Sequence, residues 1–133
     1  MRDFLLGHTD NTGKTEMAQK YLEIIKRADA LVIVSPEYNH GYPGELKILL
    51  DMGYKEYANK PVGFCGVSIG PFGGVRVVEQ LRQIVIELHM IPVREAVYFS
   101  NISALFSEAG EITDKSYADR AKTFLTDLSS KVR

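Results

Sequence analysis

Two short polar stretches hold the side chains that could do chemistry. The first is Ser35-Pro36-Glu37-Tyr38-Asn39-His40-Gly41-Tyr42-Pro43-Gly44, where a carboxylate, a phenol, a carboxamide and an imidazole follow one another. The second is Ser68-Ile69-Gly70-Pro71-Phe72-Gly73-Gly74, with no titratable side chain before Arg76. Covalent or hydrolytic catalysis needs a nucleophile beside a base. Neither Ser35 nor Ser68 has an assigned histidine partner, so no catalytic side chain is named. No His/Cys set has metal-ligand spacing, so no metal is expected. The glycines at 41, 44, 66, 70, 73 and 74 let backbone approach a flat ligand closely. Helix N-termini favour electron-rich or anionic groups. With Tyr38, Tyr42 and Phe72 as stacking faces, the two stretches describe a slot for a planar heteroaromatic cofactor, which would carry the chemistry itself.

Those stretches need elements to hold them. Leu31-Val32-Ile33-Val34 is a continuous apolar run of the kind found in parallel strands covered on both faces. Ser35-Pro36 ends it, because proline restricts its predecessor and donates no ladder hydrogen bond. Pro61–Val67 is a second such strand, and it runs into the second loop. Helices are expected over 14–28, with a stripe of Met17, Tyr21, Ile24, Ile25 and Ala28, and from Glu45 to about Asp51. Another starts at Val75, with Val78, Leu81, Val85 and Leu88 inside and Glu79, Arg82 and Glu87 outside. Met90-Ile91-Pro92 breaks it. Val93–Phe99 reads as a third strand, and 101–111 as a loop fixed by Phe106. A last helix over 114–132 carries Tyr117, Ala121, Phe124, Leu125 and Leu128. Tyr54 and Tyr57 lie in a polar connector and read as surface or interface aromatics. The order α-β-α-β-α-β-α means a parallel sheet with helices on both faces. Both polar stretches then fall at strand carboxyl ends, where ligands of open α/β sheets bind.

Composition narrows the class. A chain of 133 residues makes one domain, residues 1–133. A net charge of -1 gives no reason to expect nucleic acid or an anionic membrane as partner. The apolar runs are too short to span a bilayer, and Met1–Leu6 has no signal-peptide core. The single cysteine, Cys65, sits in an apolar strand and reads as inert core in a reducing cytoplasm. Thr12-Gly13-Lys14-Thr15 resembles the end of a phosphate-binding P-loop, but His8 stands where the first glycine belongs, and a helix start explains the segment better. His8, His40 and His89 read as surface or capping residues. Arg76 is open between a cofactor phosphate and an ion pair.

Ser35-Pro36-Glu37-Tyr38-Asn39, then Pro43-Gly44-Glu45-Leu46-Lys47 and Leu50-Asp51, resembles the signature of the NADPH-dependent FMN reductase family. Ser68–Gly74 followed by Arg76 is similar to that family's second flavin loop. The similarity runs from about Phe4 to the last helix. Ile48 departs from it, where the family usually has asparagine. The resemblance implies a flavodoxin-like α/β/α sandwich and an NAD(P)H-dependent flavin oxidoreductase using FMN and NADPH. Pro36, Glu37, Tyr38 and Asn39 would border the isoalloxazine ring. Ser68, Gly70, Gly73 and Gly74 would bring backbone to its pyrimidine side. Hydride would pass from nicotinamide to flavin, and electrons onward to a small-molecule acceptor: a quinone, an azo compound, free flavin or oxygen. A homodimer is the expected assembly.

A flavodoxin-like sheet has strand order 2-1-3-4-5. The strands read here match the third, fourth and fifth, so the expectation is a partial domain of about three strands and four helices, truncated at its N-terminus. The strand Leu31–Val34, central in the family, then has an open apolar edge. The phosphate loop has no counterpart either. Losing about three charge-assisted hydrogen bonds at ~2 kcal/mol each removes roughly 6 kcal/mol, about four powers of ten in affinity. The alternative function is therefore a flavodoxin-like binding or oligomerisation module without catalysis.

Overall fold

The computed structural model describes residues 14–132. The first helix, α1 (Glu16–Arg27), starts at Thr15, whose side-chain oxygen accepts from the Ala18 N–H at 3.2 Å. Strand β1 (Leu31–Pro36) follows, then α2 (Gly44–Asp51), a single 3₁₀ turn (Lys55–Tyr57) and β2 (Pro61–Val67). The second half comprises α3 (Val75–Glu87), β3 (Ile91–Phe99), the one-turn α4 (Ile102–Leu105) and α5 (Ser116–Ser130). The strands form one parallel sheet in the order β1-β2-β3. Among the described residues β1 pairs on one side only, with β2.

Two cores flank the sheet. On one face Ile33, Val62 and Phe64 pack against Val77, Val78, Leu81 and Val85 of α3, with Ile25, Leu50 and Tyr57 closing the layer. On the other, Val93 and Val97 pack against Tyr117, Phe124 and Leu128 of α5, with Leu105. Gly63 lets α5 come close, because a side chain there would run into the Phe124 ring. The second face ends short of β1. Val32 and Val34 are 43% and 63% exposed, and Leu125 of α5 is 53% exposed.

The pairing of β2 with β3 shifts register between Val62 and Phe64, and this lets Pro92 sit within a strand that begins two residues earlier than Val93. Arg82, expected outside, lies along this irregularity. It donates to the Val93 and Arg94 carbonyls at 2.7 and 2.8 Å, with its guanidinium over Phe64. Other expectations shift by a residue. The buried stripe of α1 is Ala18, Leu22 and Ile25, while Met17 and Ile24 face outward. Tyr57 is fully buried, its hydroxyl paired with that of Tyr21 at 2.8 Å. Burial and that bond push its phenol far above the ordinary range. Leu105, not the 44% exposed Phe106, fixes the loop after β3.

Candidate functional site

Both polar loops leave the sheet at the same rim, because β1 and β2 are parallel neighbours whose last residues, Pro36 and Val67, stand in register. The ladder continues one step further, with Glu37 N–H donating to the Val67 carbonyl at 2.9 Å. The chain then folds back on itself. Tyr38 and Gly41 exchange N–H···O bonds of 2.9 Å, closing a two-residue turn through Asn39 (φ 49°) and His40 (φ 67°). Positive φ at both central positions is the habit of type I′ turns, and asparagine tolerates it well. Gln80 of α3 secures the turn by donating to the His40 carbonyl at 2.7 Å.

The second loop is fixed from below and from the side. Gly73 and Gly74 have φ of 61° and 79°. A Cβ on Gly73 would lie 2.8 Å from Tyr98 backbone, and one on Gly66 would lie 2.5 Å from the Gly73 carbonyl oxygen. These glycines let the loop lie flat on the ends of β2 and β3. The Gly70 carbonyl accepts from the Ser68 hydroxyl at 2.9 Å and from Asn101 N–H at 3.0 Å. Ile102 N–H donates to the Ser68 carbonyl at 3.1 Å, which brings α4 to the rim.

Glu37 joins the two loops. Its Oε2 accepts from the first-turn N–H groups of Arg76 and Val77 in α3, at 3.0 and 3.4 Å, and its Oε1 pairs with the Arg76 guanidinium at 3.1 Å. The carboxylate thus occupies a helix N-terminus, where negative charge is favoured. Arg76 in turn lies over the Phe72 ring, 5.0 Å from its centroid. Phe72, Tyr38 and Ile69 remain more than half exposed along the mouth.

Between the loops lies a cleft of about 430 Å³, within the range of small-molecule and cofactor sites. Of the residues expected at the site, Pro36, Glu37, Tyr38, Asn39, Ser68 and Gly70 line it. Gly73 and Gly74 do not; their backbone is spent against Tyr98 and Gly66. Tyr42 packs into the core instead of the cleft. Ile102 and Val67 also line it. Val67 was readable as the last residue of a strand. Ile102 was not, because its place depends on the left-handed Asn101 (φ 50°) turning α4 inward. His89 stands away from the cleft, edge-on to Tyr54. His8 and most of the P-loop-like segment lie outside the described residues, while Thr15 caps α1. Among the described residues no three His, Cys, Asp or Glu side chains gather as a metal site. Cys65 is half-buried, and burial pushes its thiol pKa up.

A three-layer α/β domain with a cleft at its strand ends is the arrangement of the doubly wound α/β folds, the flavodoxin-like fold among them. The flavoenzyme NAD(P)H:acceptor oxidoreductase FerB of Paracoccus denitrificans shares this fold, with a TM-score of 0.78 at 20% identity over 93% of this chain and 74% of that one. The chain belongs to the NADPH-dependent FMN reductase family, whose model matches residues 1–104. A quinone reductase of Pseudomonas putida is 34% identical over 107 residues, covering 75% of this chain and 57% of that protein. An NAD(P)H-dependent FMN reductase of Pseudomonas aeruginosa is 30% identical over 120 residues, covering 86% of this chain and 65% of that protein. The chain thus spans somewhat over half the length of these relatives.

Proposed function

We propose that this chain is an NAD(P)H-dependent flavin oxidoreductase that holds the ring of FMN in the cleft between the two loops and serves a small-molecule acceptor such as a quinone. The observation that carries the reading is the meeting of Pro36–Asn39 with Ser68–Gly70 around one cleft of cofactor size. A bound flavin supplies hydride acceptance from nicotinamide and electron delivery to the acceptor. The residues present suit the ring. Tyr38 and Phe72 offer aromatic faces at the mouth, Asn39 and Ser68 offer neutral hydrogen-bonding groups, and Gly70 has open space where a side chain would stand. Glu37 contributes by position, locking the first loop to α3 and so setting the width of the slot.

A homodimer in the cytoplasm belongs to the same reading. Leu49 of α2 and Ile86 of α3, both exposed, support a subunit contact, and the unpaired thiol of Cys65 supports a reducing compartment. No helix among the described residues is long and apolar enough to cross a membrane. A second reading, a binding or oligomerisation module without catalysis, is favoured by the uncovered face of β1 at Val32 and Val34. Purified chain, FMN and NADPH with a benzoquinone distinguish the two. The oxidoreductase consumes NADPH in a flavin- and quinone-dependent manner. A folded chain that shifts no flavin spectrum and consumes no NADPH is the module.

A further inference from the structure

The charges in the cleft wall bear on which part of a flavin is recognised, an inference that rests on the flavin reading above. A helix N-terminus ordinarily draws an anionic ligand. Here the N-terminus of α3 already has its anion: the Glu37 carboxylate, 8% exposed, accepts from the N–H groups of Arg76 and Val77. Arg76 is the one guanidinium or ammonium of the described lining, and its charge is compensated by that same carboxylate at 3.1 Å. What remains of the described lining is apolar or aromatic (Pro36, Tyr38, Val67, Ile69, Phe72 and Ile102), with Asn39, Ser68 and Gly70 as neutral polar groups. His40 completes the described lining, its carbonyl held by the Gln80 side chain.

We infer that the cleft selects a flat, uncharged heteroaromatic ring and draws no affinity from a terminal phosphate, so that riboflavin and FMN bind this chain alike. The test titrates the full 133-residue chain with riboflavin and with FMN at about pH 8, following flavin fluorescence at low and moderate salt. The expected FMN dissociation constant is no more than about threefold below that of riboflavin, and neither constant moves with salt beyond that factor. FMN binding tighter by more than this factor, or FMN affinity that falls with salt, overturns the inference and leaves the flavin reading standing. Failure of both flavins to bind overturns the flavin reading and the inference with it.

Discussion

Glu37 accepts two main-chain N–H groups of α3 and the Arg76 guanidinium while itself almost fully buried. Replacing it by alanine strands both helix N–H groups and leaves Arg76 without its partner. Bonds to a charged acceptor are the stronger class, so E37A is expected to lower unfolding free energy by about 2 kcal/mol, discounted for the partial exposure of Arg76. Urea denaturation checks this; an unchanged midpoint would contradict the role. Cys65 allows a sharper check. Burial raises its thiol pKa, so the thiol stays protonated at neutral pH, and the thiolate is the reactive form. Native protein should react with iodoacetamide at least about tenfold more slowly than denatured protein. Equal rates would mean the strand does not cover the sulfur.

At the scale of elements, the two glycine roles separate. Gly73 sits at φ 61° against Tyr98 backbone, whereas Gly70 has open space where a Cβ would stand. G73A is expected to destabilise by about 2 kcal/mol or more through strain and contact. G70A should stay within ~0.5 kcal/mol of the wild type. Thermal unfolding of the pair tests the assignment, and equal losses would refute it. The three strands and helices α1, α2, α3 and α5 were legible because each pairs an apolar run or stripe with a clear stop, such as Ser35-Pro36 or Gly73-Gly74, whereas the one-turn α4 falls in the stretch read as a loop. The cleft was legible at Pro36–Asn39 and Ser68–Gly70, where polar residues follow apolar strands directly. Glu37's service to α3 was not, since it joins residues 39 apart in the chain. Gly73 and Gly74 were read as ligand-facing because a glycine gives no sign of which neighbour it must avoid. Phe106 and Leu105 show the same limit: adjacent apolar residues differ in burial through a turn that hydrophobicity does not encode.

At the scale of the whole molecule, the described residues form a sheet with one face incompletely covered. Among the described residues β1 has a free outer edge, and beside it the side chains of Val32 and Val34 stand exposed on the uncovered face. An exposed apolar edge invites a second copy. The V32T/V34T variant keeps β-branched shape, so it should leave stability within about 1 kcal/mol and reduce concentration-dependent self-association. Sedimentation velocity reads this directly, and unchanged association would place self-contact elsewhere. The central claim is that the cleft between the two loops holds a flavin ring. Gly70 lines that cleft and has open space at its Cβ position, so G70F should fold normally while filling the slot. Flavin titration of wild type and G70F, with circular dichroism confirming the fold, is the most direct measurement. G70F is expected to lose at least about tenfold in flavin affinity; a folded G70F that binds flavin as the wild type does would contradict a flavin ring in this cleft.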